Sequence, residues 1–351
     1  ARDSIFIEDF DHDMVAPDRP EDSLEARGII SGDWKLVDMM EPDNTTAAGA
    51  YLFNLKNDPK EKNNLAGQQP HKVIELRKKL NDWWNPKPDF KTDTRPDGVT
   101  TLRLPFRTVG DVTLDLKVWW PPKYRPISKK APAMVLFHGG GWGNGDMIVW
   151  NGMAPFLAKR GLIVVTPNYR TSQEHGTRPK ACLVDTKSAM RFVREHAKEW
   201  GIDATRIAAG GGSAGGHLAA AAAFCPGFNA EGDDLKISCK PDALFLMSPV
   251  IDNGPGGFRH AAVKDYWEDF SPLHNISSNP PPTLYVTGDK DGYVPIETAH
   301  KYKAEMEKQG GRCNLVIYEG EGHGYSPERG VQTQQHIIDF FESLGYIKPV
   351  K

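Results

Sequence analysis

Residues 211–216 read Gly-Gly-Ser-Ala-Gly-Gly, between the strand-like run Arg206 to Ala209 and the helix-like segment His217 to Phe224. This is a G-x-S-x-G motif at the junction of a strand and a helix. A sharp turn there strains the backbone at Ser213, the glycines leave room for it, and the hydroxyl is exposed at the helix N-terminus, where developing negative charge is favoured. The segment lacks the G-x-G-x-x-G spacing of a dinucleotide loop and the Gly-Lys-Ser/Thr of a phosphate loop. We therefore predict that Ser213 is a nucleophile.

A second glycine-rich segment, His138-Gly139-Gly140-Gly141-Trp142, directly follows the apolar run Ala133 to Phe137. Because glycine has no side chain, backbone N–H groups of this loop can approach a small oxyanion closely. Together with the N–H of Ala214 they would surround the oxygen that becomes negative when a carbonyl is attacked. Each such donor stabilises the transition state by roughly 3 kcal/mol. His138 is interpreted as a hydrogen-bonding residue that shapes the loop.

Candidates for the acid and the base follow two later strands. Asp289 and Asp291 lie in Thr287-Gly288-Asp289-Lys290-Asp291, and His323 lies in Gly322-His323-Gly324. The chain order Ser, Asp, His is that of α/β-hydrolases, and each residue follows a strand, where open α/β sheets place their sites. We predict His323 as the base and Asp291 as the acid that orients it. Asp289 competes for that role, or it is a carboxylate that caps a turn.

Apolar runs of strand length alternate with helical patterns through the second part of the chain. The predicted strands are 113–119, 133–137, 162–166, 206–209, 243–247, 283–287 and 314–318, and the predicted helices are 181–200, 214–224, 296–309 and 333–344. Continuous apolar strands separated by helices are typical of a mostly parallel sheet covered on both faces. The fold class predicted from this pattern is α/β.

The charge of the first part of the chain and the prolines that follow it predict a separate domain. Residues 1–50 carry 13 acidic and 4 basic side chains, whereas the whole chain of 351 residues is almost balanced, with 46 acidic and 43 basic. An amphipathic helix is predicted from Val73 to Trp84, and the prolines of Asn85-Pro86-Lys87-Pro88 end it. We predict a domain over residues 1–85, a linker over residues 86–98 and a second domain over residues 99–351.

Composition excludes several classes of function. The net charge of −3 provides no global positive field for nucleic acid or an anionic membrane surface. The apolar runs are far shorter than the roughly 20 residues of a membrane span. The four cysteines form no C-x-x-C pair. They are predicted to be free buried thiols, or Cys225 and Cys239 close a local disulfide, which would imply an oxidising compartment.

Residues 99–346 resemble the α/β-hydrolase fold, in the esterase group with an HGGG oxyanion loop that includes hormone-sensitive-lipase-like, feruloyl-esterase-like and acetylxylan-esterase-like enzymes. The matching segments are His138 to Trp142, Asn168-Tyr169-Arg170 with Asp185, Gly211 to Gly216, Gly288 to Pro295 and Gly322-His323-Gly324. The resemblance implies ester hydrolysis without a cofactor or a metal. It also implies that Gly140 and Gly141 supply oxyanion donors, since the second and third glycines commonly do so in this family.

The first domain resembles a different family, the C-terminal subdomain of type I sulfatases. The segments that carry the likeness are Arg27 to Leu36, Tyr51 to Pro59 and Glu61 to Leu65. The resemblance implies a small α+β subdomain, with a β-hairpin sheet and a closing helix. The sulfatase nucleophile motif and metal-binding half are absent from the sequence. We expect either a piece of a longer sulfatase–esterase fusion, whose missing partner is the N-terminal catalytic half, or a docking module.

These features together predict a serine carboxylesterase in which Ser213, His323 and Asp291 act as nucleophile, base and orienting acid. The expected substrate is an acylated polysaccharide, sulfated or otherwise decorated, with acetyl before feruloyl as the acyl group, in a secreted or periplasmic enzyme. Trp142 is predicted to stack on a sugar ring, although core packing is the alternative for it and for Trp150. The competing functions are a general short-chain carboxylesterase, a prolyl-oligopeptidase-type peptidase, for which no propeller repeat is visible, and a non-catalytic binder.

Overall fold

The chain divides into two compact units, residues 1–124 and residues 125–351. The structure, a computed structural model, describes residues 4–10, 24–40, 47–83, 97–122 and 130–349. The predicted linker over residues 86–98 lies outside the described residues except for Asp97 and Gly98, so its boundaries stay a prediction. The predicted α/β class agrees with the architecture of the second unit, in which parallel strands alternate with helices.

In its described residues, the first unit contains antiparallel strands and one helix. Four strands form a sheet in chain order, namely β1 Ser4–Phe10, β2 Leu24–Ser31, β3 Trp34–Met40 and β4 Ala47–Asn54. Helix α1 spans Pro70–Trp83, and β5 Thr100–Val109 pairs antiparallel with β6 Val112–Trp120.

Helix α1 buries most of the apolar face that the sequence predicted, but Trp83, which was also placed on that face, is 45% exposed. Val73, Leu76 and Leu80 are each at most 1% exposed. On the same helix the buried guanidinium of Arg77 makes a two-pronged hydrogen bond to Asp38 of β3, with Nε 2.6 Å from Oδ2. Such a planar fork fixes the orientation of the helix as well as its distance from the sheet. A sheet with a closing helix is therefore present in this unit, and its likeness to a sulfatase subdomain stays a prediction.

The second unit contains six parallel strands in the spatial order β12-β11-β10-β9-β7-β8. They are β7 Ala131–Phe137, β8 Ile163–Pro167, β9 Ile202–Gly212, β10 Ala243–Met247, β11 Thr283–Gly288 and β12 Cys313–Tyr318. All seven residues of β7 are buried, as are all five of β8 and all six of β11. Burial along a whole strand occurs where both faces of a sheet are covered, which explains why the sequence shows continuous apolar runs rather than alternation.

Helices lie between these strands and after the last of them. They are α2 Met153–Lys159, α3 Ser172–His175, α4 Pro179–Glu195, α5 Ala197–Trp200, α6 Ala214–Phe224, α7 His260–Val263, α8 Trp267–Phe270, α9 Ile296–Lys308 and α10 Pro327–Ser343. Two short 3-10 segments span Met147–Trp150 and Pro272–His274. The helix predicted over residues 181–200 is divided at His196 into α4 and α5. No helix in the described ranges combines the length and the hydrophobicity needed to cross a bilayer.

The strand register brings the motif-bearing loops to one edge of the sheet. Phe137 at the end of β7 is aligned with Gly211 of β9, and Gly288 at the end of β11 is aligned with Tyr318 of β12. Parallel strands have their carboxyl ends at the same edge, where open α/β sheets bind ligands. The segments after these strands therefore share one face of the second unit.

All four cysteines lie in the described part of the chain, and each is a free thiol. A Cys225–Cys239 disulfide, one of the two alternatives, is not formed, and the prediction of free buried thiols fits except that Cys239 is only partly buried. Cys225 is buried at the end of α6, and the Cys239 Sγ is directed instead at the carbonyl oxygen of Ala222, 3.9 Å away. The structure thus gives no reason to infer an oxidising compartment from the cysteines.

Candidate active site

Ser213 sits on the sharp turn between β9 and α6. Its backbone has φ +54° and ψ −118°, a strained combination for a residue with a side chain. The strain is tolerated because neighbouring glycines let the turn approach β7. A Cβ on Gly215 would lie 2.1 Å from the carbonyl oxygen of Phe137, and one on Gly211 would lie 2.5 Å from the same oxygen. The sequence therefore folds here into a tight elbow that presents the hydroxyl at the start of a helix.

His323 connects this hydroxyl to a carboxylate. Its Nε2 lies 2.9 Å from the Ser213 Oγ, and its Nδ1 lies 2.8 Å from the Asp291 Oδ2. The other carboxylate oxygen, Oδ1, accepts hydrogen bonds of 2.9 Å from the backbone N–H groups of Tyr293 and Val294. If Nδ1 carries the proton that Asp291 accepts, Nε2 is free to take the proton of the serine.

The environment keeps Asp291 ionised. Burial acts to raise the pKa of Asp291, but the hydrogen bonds from His323, Val294 and Tyr293 outweigh it and hold the pKa below its ordinary value of 3.8. The carboxylate side chain is fully buried, whereas the imidazole of His323 is 25% exposed. The negative charge of Asp291 is thus buried, and it is hydrogen-bonded to His323, whose ring is partly exposed.

Asp289, the competing candidate for the acid, has another partner. Its Oδ1 accepts a hydrogen bond of 2.7 Å from the backbone N–H of Gly320 and so ties the segment after β11 to the segment after β12. The structure brings Asp291 to His323 and places Asp289 as a turn-capping carboxylate.

The loop of residues 138–142 lies directly beside Ser213. A Cβ on Gly139 would be 3.6 Å from the Ser213 Cβ, and Gly140 and Gly141 have φ values of +103° and +59°. No hydrogen bond among the described residues uses the backbone N–H of Gly140, Gly141 or Ala214. Three backbone donors close to the serine are thus available to an oxyanion.

Neighbouring side chains hold this loop in place. The Tyr169 hydroxyl donates to the carbonyl oxygens of His138 and Gly139, at 2.8 and 3.1 Å. The His138 ring stacks on Tyr169 with centroids 3.9 Å apart, and its Nδ1 lies 2.8 Å from the Gly139 oxygen. Burial lowers the pKa of His138. Arg170, which follows Tyr169 in the chain, makes two side-chain hydrogen bonds to Asp185, at 2.8 and 2.9 Å.

The prediction that Trp142 stacks on a sugar ring is wrong. Trp142 is only 1% exposed. Its indole packs edge-on against His217 at 5.0 Å and Phe270 at 5.8 Å, and it also contacts Phe258. No ring face is left for a ligand, so Trp142 is a core residue that supports the loop from behind. Trp150 is buried as well, at 6% exposure.

Three residues at the rim of the site were missed by sequence reasoning. Tyr293 is 63% exposed and meets the His323 ring edge-on at 5.1 Å, and Phe258 meets Tyr293 edge-on at 6.2 Å. Arg259 donates a hydrogen bond of 2.8 Å to the carbonyl oxygen of Gly141. Tyr293 lies inside the Gly288 to Pro295 segment and could have been found there. Phe258 and Arg259 lie in a loop without a motif. Within the described ranges, no group of three or more His, Cys, Asp or Glu side chains could hold a metal ion.

Family models and relatives match the chain over these elements. The model of the BD-FAE family matches residues 118–253, and that of the prolyl oligopeptidase family matches residues 254–345. Esterase LipC of Mycobacterium tuberculosis is 29% identical over 268 residues, which cover 66% of this chain and 62% of LipC. The acetylxylan esterase of Xylanibacter ruminicola is 25% identical over 185 residues, 48% of this chain and 36% of that protein. The chain spans about half the length of the curated relatives it matches.

Solved structures of one esterase align over most of the same region. Thermogutta terrifontis esterase 2, phosphoramylated by tabun, has a TM-score of 0.68 and 32% sequence identity, covering 73% of this chain and 98% of that chain. The propionate-bound form of the same esterase has a TM-score of 0.67 and 30% identity, covering 73% of this chain and 97% of that chain. A butyrate-bound form aligns equally well, with a TM-score of 0.67.

Proposed function

Because this chain belongs to the α/β-hydrolase esterases, we propose that it is a serine carboxylesterase that removes small acyl groups from carbohydrate. The observation that carries the proposal is the continuous hydrogen-bonded line from Ser213 through His323 to the buried carboxylate of Asp291.

The geometry supports a two-step acyl transfer. The Ser213 Oγ attacks the ester carbonyl while His323 Nε2 takes its proton, and the oxygen that becomes negative is bound by the N–H groups of Gly140, Gly141 and Ala214. His323 then returns the proton to the leaving alcohol, and the acyl group remains on Ser213. Water attacks the acyl-enzyme with the same base, which releases the acid and restores the hydroxyl.

Two comparisons support a small acyl group, and the second of them also supports a sugar. A similar solved esterase has been captured with propionate and with butyrate, and one relative is named an acetylxylan esterase. The sequence segments of the first unit that resemble a sulfatase subdomain favour a polysaccharide that is sulfated or otherwise decorated, and a secreted or periplasmic enzyme. Acetyl is the first candidate and feruloyl the second.

A second candidate function is cleavage of a peptide bond. The match of the prolyl oligopeptidase family model to residues 254–345 favours it. This segment contains Asp291 and His323, which serve ester and amide hydrolysis alike, so the type of bond must be decided by assay.

The test is a substrate panel with a matched pair of serine variants. We expect release of acetate from acetylated xylan and rapid cleavage of p-nitrophenyl acetate, with little cleavage of p-nitrophenyl laurate or of a prolyl p-nitroanilide. Ser213→Ala should lower kcat by about 10⁶-fold, because the nucleophile is lost. Ser278→Ala, which alters an exposed serine, should retain full activity. Amide cleavage faster than ester cleavage would favour the peptidase, and activity retained by Ser213→Ala would refute the mechanism.

A further inference from the structure

Arg259 is held beside the oxyanion loop by its backbone and by its side chain. It has φ +50° and ψ +31° and directly precedes α7. Its Nη1 donates to the Gly141 carbonyl oxygen at 2.8 Å. A Cβ on Gly141 would lie 3.5 Å from the Arg259 Cζ and 3.7 Å from its Nη2, so the guanidinium covers the open side of this glycine. The cation is therefore fixed at the loop that supplies the oxyanion donors.

Arg259 differs from most arginines of the second unit in having no ion pair with a carboxylate among the described residues. Residues 130–349 contain nine arginines, and seven of them pair with a carboxylate, namely Arg160, Arg170, Arg178, Arg191, Arg194, Arg206 and Arg329. Arg259 and Arg312 have no such ion pair among the described residues. Arg312 uses its side chain on Asn314 and Ser343. Arg259 is exposed, and among the described residues only its Nη1 makes a side-chain hydrogen bond to the protein, so the other N–H groups of its planar fork are available to a ligand.

Aromatic rings flank the same opening. Phe258 lies next to Arg259 in the chain, with the guanidinium 5.9 Å from its ring centre. Phe258 and Tyr293 meet edge-on, and Tyr293 in turn contacts the His323 ring. An exposed ring beside the base offers an apolar surface to a bound substrate, and the guanidinium offers a fixed positive charge.

We propose that Arg259 is a specificity residue that binds an anionic group, a carboxylate or a sulfate, carried by the substrate close to the scissile ester. This inference rests on the proposed esterase function and deepens it, because it narrows the substrate from acylated carbohydrate in general to acylated acidic carbohydrate. A guanidinium forms two parallel hydrogen bonds with the oxygens of such a group, and these charge-assisted bonds are stronger than neutral ones.

The test compares three acetylated sugars that differ in one substituent. They are an acetylated methyl glucoside, the corresponding glucuronide and the corresponding 6-sulfated glucoside. For the wild type we expect kcat/KM on one of the two anionic sugars to exceed that on the neutral sugar by about 10- to 100-fold, the range of a charged hydrogen bond. The anionic sugar that is preferred identifies the group as carboxylate or sulfate. The preference should weaken as salt is raised, because screening reduces the attraction of a surface cation.

Two variants assign the preference to Arg259. Arg259→Gln should reduce the anionic-to-neutral ratio of kcat/KM to about one, and Arg259→Lys, which keeps the charge without the fork, should give an intermediate ratio. The matched control is Arg312→Gln, which should keep the wild-type ratio. Two results would overturn the inference, provided that the enzyme still cleaves p-nitrophenyl acetate. One is a wild type that does not prefer the anionic sugars, and the other is an Arg259→Gln variant that loses activity equally on all three sugars. Loss of all ester cleavage by the wild type would instead refute the proposed function, and the inference with it.

Discussion

Replacing Asp291 by Asn should reverse the tautomer of His323, the proposed base. The Asp291 Oδ1 accepts two backbone hydrogen bonds, from Tyr293 and Val294, each of 2.9 Å. An asparagine at this position must keep its carbonyl oxygen toward these two donors, since its NH₂ group would face them donor to donor. The NH₂ group then faces the His323 Nδ1, where the Asp291 Oδ2 now lies at 2.8 Å. Because an amide nitrogen only donates, Nδ1 must accept and the proton moves to Nε2.

The size of the effect follows from this geometry. With a proton on Nε2, the imidazole can no longer accept the hydroxyl proton of Ser213 across the present 2.9 Å contact. The same substitution in a serine protease triad costs about 10⁴-fold in kcat. This corresponds to about 5.5 kcal/mol of barrier height, at 1.36 kcal/mol for each factor of ten. KM should change little, since the carboxylate is buried and does not face substrate.

The assay is steady-state hydrolysis of p-nitrophenyl acetate, with circular dichroism to confirm folding. Asp289→Asn is the matched control, because Asp289 accepts a hydrogen bond from Gly320 and contacts neither His323 nor Ser213 in the described structure. It should lose less than about 10-fold, the effect of one altered turn hydrogen bond. An equal loss in both variants, or a larger loss in Asp289→Asn, would show that the acid has been assigned to the wrong residue.

Two further predictions concern the oxyanion loop and the core behind it. Gly140→Ala should lower kcat by about 10²- to 10³-fold, as expected for a lost oxyanion donor, because the new Cβ would lie 2.0 Å from the Asn144 carbonyl oxygen at a φ of +103°. Gly143→Ala is its control for p-nitrophenyl acetate hydrolysis and should change kcat only a few-fold, since its Cβ finds no atom closer than 3.5 Å. Burial lowers the pKa of His217 to about 3, against about 6.5 in an unfolded chain. Below about pH 6.5 this histidine is protonated in the unfolded state but stays neutral in the folded state, so lowering the pH stabilises the unfolded state. Between pH 7 and 5 the free energy of unfolding of the wild type should therefore fall by about 2 kcal/mol more than that of His217→Gln.

Each of these predictions has an outcome that would contradict it. A Gly140→Ala enzyme as active as Gly143→Ala would exclude Gly140 from the oxyanion site. Urea denaturation at several pH values measures the His217 effect, and parallel stability curves for wild type and His217→Gln would mean that this histidine is protonated equally in both states.

The site could be predicted where its residues belong to short patterns. Ser213, Asp291 and His323 each follow an apolar strand within a glycine-containing turn, and both features are visible within about ten residues of the chain. Their meeting follows from the parallel sheet, which places the carboxyl ends of its strands together.

Residues whose environment is set by distant parts of the chain were not predictable in this way. The burial of Trp142 depends on His217 and Phe270, which are 75 and 128 positions later in the sequence. Arg259 reaches Gly141 across 118 positions. No local pattern marks either contact, so an indole beside an oxyanion loop was interpreted as a ligand surface although the fold buries it.

One strand and one helix boundary show the same limit on a smaller scale. Strand β5 was not predicted, since Pro105 and polar residues interrupt its pattern, and the structure accommodates them with a register shift between Pro105 and Arg107. Helix α10 begins at Pro327, six residues before the predicted start at Thr333, because Ser326 caps it by accepting a hydrogen bond from the Arg329 N–H. A capped polar first turn carries no apolar period.

Ser213 lies on a tightly packed turn, whereas two of the residues at the rim of the site lie in a connecting segment. This difference affects how the substrate selectivity of the enzyme can change. Ser213 is locked by glycines pressed against β7, where an added methyl group would meet backbone at 2.1 Å. Phe258 and Arg259, by contrast, lie outside every strand, in the segment that joins β10 to α7. We expect mutations in that segment to change which esters are accepted without moving Ser213, so that new substrates can be acquired with little loss of the proposed chemistry. Directed evolution of selectivity should therefore concentrate its accepted substitutions there and leave the elbow untouched.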